Sequence, residues 1–404
     1  MAVGAGITTQ LLPVAGVELS VTSAGIKKPG KQDLTLMVLQ DGSAAAGVFT
    51  QNLFCAAPVT LAKTHLAGGY VRALVINTGN ANAGTGERGK ADAERTCAAV
   101  AESLGFSASD VLPFSTGVIG EYLPMDRLLK AVPSLAEGVG TADWHTVAHA
   151  IMTTDTRAKG HSIQLELDGR VVTLTGVSKG AGMIKPNMAT MLGFAATDAA
   201  VAPEDLQALL TSAANRSFNR ITVDGDTSTN DACILVATGA SGVALGPNSP
   251  HWSAFSQAVH ELMRELAHQI VRDGEGATKF VAIQVHSAKS SADALEVAYT
   301  VAHSPLVKTA MSASDANWGR ILAAVGRAPV APFDLQGIDI YLDDVLLVKH
   351  GEKATGYEEA QGAAVFAKDT FTIHIHMGCG TATETVWTTD LSHEYVSINA
   401  DYRS

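Results

Sequence analysis

The segment from Lys179 to Phe194, KGAGMIKPNMATMLGF, combines residue types that could support nucleophilic chemistry. A small residue, Ala189, directly precedes Thr190, and two glycines and a proline lie upstream. A threonine hydroxyl is a weak nucleophile at neutral pH and needs a base within hydrogen-bond reach. If the 189–190 peptide bond were cut, the new α-amino group of Thr190 would be that base, because its reference pKa is about 7.7 to 8.0.

The same segment also fits purely structural interpretations. A β-bulge, or a threonine that caps a strand, would bring these residue types together without any chemistry. A dinucleotide-binding loop is disfavoured, because Pro186 is present and no predicted helix follows the glycines. The residues alone therefore leave a nucleophile and a strand cap as alternatives.

An acyl-transfer nucleophile also needs donors for the oxyanion, and one segment offers them. Residues 112–124, LPFSTGVIGEYLP, form a predicted strand that leads into a Ser-Thr-Gly turn. A backbone N–H and a hydroxyl can face one point at such a turn. Residues 75–89, VINTGNANAGTGERG, form a second predicted loop that suits backbone contacts with a polar ligand. On its own, the first segment also fits an ordinary turn.

Metal binding has weak support in the sequence. His374 and His376 lie on one face of a predicted strand, but no third ligand is spaced nearby. Asp224 and Asp226 resemble part of a calcium loop that lacks its closing glutamate. We therefore predict no metal site. We interpret residues 222–231, which contain Asp224 and Asp226, as a turn-rich loop that lines a pocket.

The composition excludes several classes of partner. The chain has 404 residues and a net charge of −12, with no basic cluster, so neither nucleic acid nor an anionic membrane is an expected partner. The first residues lack the pattern of a signal peptide, and no apolar run has the length of a membrane span. Four widely spaced cysteines are typical of reduced thiols. We expect a soluble, cytoplasmic protein.

The elements that must position these residues alternate between strands and helices. Asp-Gly pairs predict hairpins within LTLMVLQDGSAAAGVFTQ and SIQLELDGRVVTLTGV. Helical periodicity predicts one helix from Trp144 that ends at Thr153–Asp155, a second that stops at Gly105 and a third that stops at Gly274. Because the strands are often paired as hairpins, we predict an α/β fold, a layered sandwich of mixed sheets, rather than a doubly wound parallel sheet.

Several segments of the sequence resemble those of one known family. KGAGMIKPNMATML closely resembles the signature of the ornithine acetyltransferase family, the bifunctional glutamate N-acetyltransferases of arginine biosynthesis. Other segments resemble the same family in order along the chain: NTGNANAGTG, LPFSTGVIGEYLPMD, AIMTTDT, SFNRITVDGDTSTND, SPLVKTA, NWGRI and DLSHEYVSINADYRS. The resemblance covers essentially the whole chain and implies the family's layered sandwich, of the self-cleaving aminopeptidase type.

The resemblance also implies roles for individual residues. The precursor would cut itself between Ala189 and Thr190 into an α chain, residues 1–189, and a β chain, residues 190–404, with Thr190 as nucleophile. The hydroxyl of Thr116 and the N–H of Gly117 would form the oxyanion hole. Thr190 and five other residues would bind substrate: Thr153, Lys179, Glu275, Asn399 and the C-terminal Ser404. The choice between Thr153 and Thr154 is left open.

The reaction that the resemblance implies is a ping-pong transfer. The acetyl group of N2-acetylornithine would pass to Thr190 and then to glutamate, with no cofactor. The sequence leaves open whether acetyl-CoA is a second acetyl donor. Two α and two β chains are the usual assembly of the family. The alternative is a self-cleaving aminopeptidase or amidohydrolase, in which water resolves the acyl-enzyme.

Overall fold

The computed structural model describes residues 2–7, 10–185 and 191–400. The chain divides into two compact units. Unit 1 comprises Met1–Gly4, Arg220–Gly225 and Val271–Ser404, and unit 2 comprises Ala5–Asn219 and Asp226–Ile270. Unit 2 contains residues from both sides of the predicted cleavage bond, so the two units are not the two predicted cleavage fragments.

Short strands make up much of the described structure. In chain order they are β1 (Val17–Thr22), β2 (Leu34–Leu39), β3 (Ala44–Phe49), β4 (Ala73–Asn80), β5 (Val111–Val118), β6 (Lys159–Leu167), β7 (Arg170–Lys179), β8 (Leu192–Thr197), β9 (Ala200–Val201), β10 (Ile221–Thr222), β11 (Ala232–Ala237), β12 (Ala244–Leu245), β13 (Phe280–Ala288), β14 (Asp339–Leu342), β15 (Val345–Lys349), β16 (Glu352–Lys353), β17 (Thr370–His376) and β18 (Ala382–Thr389).

Helices connect and cover these strands. In chain order they are α1 (Ala57–Ala67), α2 (Gly86–Leu104), α3 (Met125–Glu137), α4 (Trp144–Ala150), α5 (Pro203–Arg216), α6 (Trp252–Arg272), α7 (Ser291–Ala302), α8 (Pro305–Ser312), α9 (Trp318–Gly326), α10 (Glu359–Phe366) and α11 (His393–Ala400). Among the helices described, none combines the length and the apolar character that crossing a bilayer requires.

Unit 2 is a sandwich of two mixed sheets. One sheet has the order β1-β2-β4-β5, and the other has the order β3-β11-β8-β7-β6. Apolar side chains from both sheets form one buried core between them. Helices α2 and α3 cover the outer face of the first sheet, and α5 packs against β3 and β11 of the second. The predicted layered α/β sandwich is therefore confirmed.

Strand β8 is the central element of the second sheet. All six of its residues are buried, and it pairs with β7 on one side and with β11 on the other. Its Phe194 meets Phe114 of β5 edge to face across the core, with ring centroids 5.1 Å apart. The apolar run that follows Thr190 is thus a fully buried strand that connects the two sheets through its aromatic ring.

Unit 1 is built on a seven-stranded sheet with the order β10-β18-β13-β17-β14-β15-β16. One face of this sheet forms a buried core with residues of helices α7 to α10. On the other face, His286 stacks against both His374 and His376, and its Nε2 lies 3.1 Å from Nδ1 of His374. In the part of the chain that the structure describes, no three His, Cys, Asp or Glu side chains are arranged to hold a metal.

One of the two predicted hairpins is wrong. The Asp-Gly turn at 168–169 joins β6 to β7 as predicted, with both residues at positive φ. The turn at Gly42 joins β2 to β3, but these strands belong to different sheets. The reason is burial: β2 is buried along nearly its whole length, and it pairs with β1 and β4 rather than with β3.

Two of the predicted helix ends are confirmed and one is wrong. Helix α2 ends before Gly105, which adopts φ +73°, and α6 ends two residues before Gly274. Helix α4 ends at Ala150, earlier than predicted. Beyond this end, side chains take the place of helical hydrogen bonds. Lys31 donates to the carbonyl of Met152 at 2.8 Å, and Asp155 accepts the N–H of Thr153 at 2.9 Å. The four cysteines are free thiols, as predicted.

The contact between Phe114 and Phe194 gives a test of the sandwich. Replacing Phe194 by Ala removes a fully buried ring between the sheets, which typically costs about 3–5 kcal/mol. We expect a clear fall in the urea midpoint of unfolding. Val171→Ala on neighbouring β7, where the valine is 53% exposed, is the control and should change the midpoint little. Equal effects of the two substitutions would contradict this account of the core.

Candidate active site

In unit 2 the candidate site begins at the ends of the parallel strands β4 and β5. The predicted Ser-Thr-Gly turn is wrong, because these residues continue β5 up to Val118. The irregularity lies instead in the pairing, since Asn80 faces both Thr116 and Val118. Gly117 adopts φ +138°, and a Cβ there would lie 2.2 Å from the carbonyl carbon of Gly79. The close approach of two backbones therefore requires glycine at position 117.

Lys179 is brought to Thr116 across the space between the two sheets. It is the last residue of β7 and is half-buried. Its Nζ donates a hydrogen bond to Oγ1 of Thr116 at 3.2 Å. A threonine hydroxyl that accepts from an ammonium group keeps its own proton for another acceptor. The arrangement therefore holds Thr116 as a donor, and two of the predicted site residues are in contact.

Asp155 organises the neighbouring part of the site. Its Oδ1 accepts hydrogen bonds from Lys159 Nζ at 2.6 Å and from the N–H of Gly180 at 2.7 Å. Its Oδ2 accepts from the N–H of Thr153 at 2.9 Å. The Asp155 carboxylate thus holds Thr153 close to Gly180, the residue that follows Lys179.

The Asp155 carboxyl is buried and ionised. Burial alone would raise its pKa, but the charges of Lys159 and Lys179, with the hydrogen bond from Lys159, outweigh burial and hold the pKa below its usual range. Both Asp155 and Lys159 are almost completely buried. Sequence reasoning missed Asp155, although an aspartate followed at i+4 by a lysine was a visible signal.

The segment before β11 closes the other side of the site. Asn230 donates to the carbonyl of Ala81 at 2.6 Å and to that of Ser115 at 3.0 Å. The next residue, Asp231, is only 3% exposed. Burial raises its pKa well above the usual value, and Ser228 and the charge of Lys179 offset only part of that effect. The predicted turn-rich loop therefore presents an amide beside β5, next to a carboxyl group whose protonated form is favoured by burial.

Unit 1 holds a second group of the predicted residues. Glu275 is buried in the turn after α6, and its Oε2 accepts a hydrogen bond from Nδ2 of Asn399 at 2.8 Å. A Cβ at the neighbouring Gly276, which has φ +69°, would lie 2.5 Å from the backbone nitrogen of Tyr395. Helix α11 therefore lies directly against the turn and presents Asn399 to the carboxylate.

The structure thus tests the proximity of some predicted residues but not their roles. It brings Thr116 to Lys179, Thr153 to Gly180 through Asp155, and Glu275 to Asn399. Ala189, Thr190 and Ser404 lie outside the described residues. The hydroxyl of Thr153 lies 3.5 Å from Oδ2 of Asp155. The choice of Thr153 over Thr154 as the substrate contact stays a prediction.

Comparison with known proteins identifies relatives along the whole chain. A family model described as the ArgJ family matches residues 18–404. The chain is 54% identical to "Arginine biosynthesis bifunctional protein ArgJ" of Pseudomonas fluorescens (strain Pf0-1), over the full length of both proteins. It is also 54% identical, over the full length of both, to the protein of that name from Pseudomonas syringae pv. tomato (strain ATCC BAA-871 / DC3000).

A solved structure agrees with these relatives. The crystal structure of arginine biosynthesis bifunctional protein argJ from Bacillus halodurans is 40% identical to this chain. The match has a TM-score of 0.50 and covers 52% of this chain and 99% of that one. The family resemblance that the sequence motifs indicated is confirmed.

The Asp155–Lys159 pair provides a test of the site's electrostatics. Asp155→Asn leaves the Lys159 ammonium buried without its counter-charge, and such a change typically costs about 3–5 kcal/mol of unfolding free energy. We expect a large fall in stability at neutral pH, measured by urea unfolding. Because the folded pKa of Asp155 is depressed, its contribution is full above the unfolded pKa of about 3.9 and is lost as the pH falls towards the folded value.

The control is the double variant Asp155→Asn with Lys159→Met, which removes both charges. We expect it to recover much of the lost stability. If the double variant were no more stable than Asp155→Asn, the buried charge would not be the cause of the loss.

Proposed function

The chain belongs to the ArgJ family, and we propose that it transfers acetyl groups through an ester on Thr190. It is a glutamate N-acetyltransferase of arginine biosynthesis, which moves the acetyl group of N2-acetylornithine to glutamate. It is also an amino-acid N-acetyltransferase that forms N-acetylglutamate. We propose acetyl-CoA as the acetyl donor of this second activity.

The first step in the proposal is self-cleavage between Ala189 and Thr190. It gives an α chain of residues 1–189 and a β chain of residues 190–404, and it exposes the α-amine that serves as base for the Thr190 hydroxyl. One strand pairing supports the survival of the site after the cut. Strand β7 ends before the bond and β8 begins after it, and the two remain joined by an antiparallel ladder.

The observation that carries the proposal is the hydrogen bond from Lys179 to Thr116. It aims the hydroxyl proton of Thr116 away from the lysine, where it can stabilise a developing oxyanion. The N–H of Gly117 is the second proposed donor. Such preorganised donors stabilise the tetrahedral intermediate, and removing one typically costs about 100- to 1,000-fold in kcat.

The proposed reaction then has two half-reactions. Thr190 Oγ attacks the acetyl carbonyl of N2-acetylornithine while its α-amine carries the hydroxyl proton to the departing nitrogen, and ornithine leaves. The neutral amine of glutamate next attacks the acetyl ester, and the α-amine carries a proton from the attacking nitrogen to the departing Oγ of Thr190. The products are N-acetylglutamate and the free hydroxyl, and the ester must be kept from water between the two.

The proposed substrate contacts follow from charge. Lys179 supplies a cation for a substrate carboxylate, and Glu275 supplies an anion for the side-chain ammonium of ornithine. Asn399 orients Glu275 through its 2.8 Å hydrogen bond. Thr153, Thr190 and Ser404 complete the proposed substrate contacts. We further propose a cytoplasmic assembly of two α and two β chains that works without a cofactor.

Cleavage and turnover should depend together on the Thr190 hydroxyl. We expect Thr190→Ala to remain a single chain without activity, whereas Thr190→Ser should retain some cleavage and some turnover because it keeps a hydroxyl beside the future amine. Denaturing electrophoresis with N-terminal sequencing measures the cleavage, and the wild type should yield a fragment that begins TMLGF. An active wild-type preparation that contains only the intact chain would rule the mechanism out.

Kinetics with and without an acceptor distinguish transfer from hydrolysis. We expect ornithine release from N2-acetylornithine to accelerate with glutamate and to yield N-acetylglutamate in equal amount. A parallel assay with acetyl-CoA and glutamate tests the second donor. Ornithine release at the same rate with and without glutamate, accompanied by free acetate, would indicate an amidohydrolase.

A further inference from the structure

Asp231 carries a buried carboxyl group that has no role in the proposed reaction as described so far. It is 3% exposed, and its Oδ2 has no hydrogen-bond partner among the residues that the structure describes. An unpartnered buried polar atom typically costs about 1–3 kcal/mol. Hydrogen bonds from Ser228 lower the pKa of this carboxyl group, so Oδ2 is the atom left without a partner. Such an atom is uncommon in a protein interior and calls for an explanation.

The position of Asp231 in the sheet relates it to the nucleophile segment. Leu192, the first residue of β8, pairs with Lys179 on one side and with Ala232 on the other. Asp231 directly precedes Ala232, whose N–H donates to the carbonyl of Met191 at 3.0 Å. Lys179 and Asp231 therefore flank the start of β8, the strand that begins two residues after Thr190 in the chain.

The two buried aspartates of the site, Asp155 and Asp231, differ in how their surroundings affect their carboxyl groups. Asp155 is ionised next to Lys159 and Lys179, whereas burial keeps the pKa of Asp231 well above that of an ordinary carboxyl group. Lys179 is the charged group whose field reaches both carboxyl groups. The site thus holds one acid that neighbouring lysines keep ionised and a second acid whose protonated form is favoured by burial.

The proposed reaction needs such a group, because each half-reaction involves two protons. Glutamate arrives as an ammonium ion and loses one proton to become nucleophilic and a second when the amide forms. The α-amine of Thr190 passes the second proton to Oγ and holds only one proton at a time. The first proton therefore needs another acceptor. In the first half-reaction, which forms the ester, ornithine leaves as a neutral amine. It then takes up a proton and becomes an ammonium ion.

We propose that Asp231 exchanges this first proton with the two amine substrates, an inference that rests on the proposed function. In its protonated form it donates to the amine of ornithine, leaving a carboxylate and an ornithine ammonium ion. The carboxylate then takes a proton from the ammonium ion of glutamate, which regenerates the acid and gives the neutral amine that attacks the ester. Over one cycle one proton passes from glutamate to ornithine and Asp231 returns to its starting state.

The variant Asp231→Asn tests this role, since it keeps the shape of the side chain and removes its proton exchange. The cleaved variant enzyme is acetylated with N2-acetylornithine, and the transfer of the acetyl group to glutamate is followed in a single turnover from pH 6 to pH 9. We expect the transfer to be about 100-fold slower or more at neutral pH. The rate of the variant should then rise steadily with pH, because bulk solvent must deprotonate glutamate.

Two controls separate proton exchange from structural damage. Hydroxylamine is largely unprotonated at neutral pH, so the acetylated variant should transfer its acetyl group to hydroxylamine at a rate close to that of the wild type. Asp198→Asn changes another buried aspartate, which follows β8 at its opposite end and accepts a hydrogen bond from the N–H of Thr173 at 2.9 Å. It should leave the pH profile of transfer to glutamate unchanged.

The outcomes distinguish this inference from the proposed function. If Asp231→Asn transfers to glutamate with the wild-type rate and pH profile, or is slowed equally with glutamate and hydroxylamine, the inference is overturned while the acetyl-enzyme stands. If wild-type enzyme forms no acetyl-enzyme, the proposed function fails. If Asp231→Asn is not cleaved, Asp231→Glu takes its place: a displaced pH profile supports the role, and an unchanged profile overturns it.

Discussion

The buried negative charge of Asp155 is the constraint on which the rest of the unit 2 site depends. Its two oxygens hold three different pieces of the chain: Lys159 on β6, the N–H of Gly180 after β7 and the N–H of Thr153 after α4. The charge of Lys179 in turn helps to keep Asp155 ionised, and Lys179 donates to Thr116. A single ionised group thus holds the backbone of the site together, and Lys179, which lies in its field, sets the direction of the Thr116 hydroxyl proton.

This electrostatic arrangement is supported by the rigid sandwich around it. Strand β8 lies between β7 and β11 and is buried throughout, so the segment that begins at Met191 is anchored on both sides. Cleavage before this strand would break one covalent bond and leave the ladders in place. The proposed self-cleavage would therefore leave β7 of the α chain and β8 of the β chain joined by their ladder.

The sequence predicted this arrangement only in part. Local signals were sufficient for the hairpin at Asp168 and the end of α2 at Gly105, because turn and cap conformations depend on neighbouring residues. They were insufficient at Gly42, where the burial of β2 and β3 in different sheets overrides the hairpin signal, and at Thr116, where strand pairing replaces the expected turn. Asp231 was missed because its importance comes from burial and from the charge of Lys179, which is distant in the chain, and no local pattern encodes either. Asp155 had a local signal in Lys159 at i+4, but its burial and its contact with Gly180 were not visible in the sequence.

The most direct measurement of the central claim, an acetyl ester on Thr190, is mass spectrometry of the enzyme quenched in acid after incubation with N2-acetylornithine alone. The account predicts one added acetyl group on the fragment that begins at Thr190, located by peptide mapping on its N-terminal residue and lost when glutamate is added before the quench. An enzyme that turns over under the same conditions but carries no acetyl group, or carries it on another residue, would contradict the account.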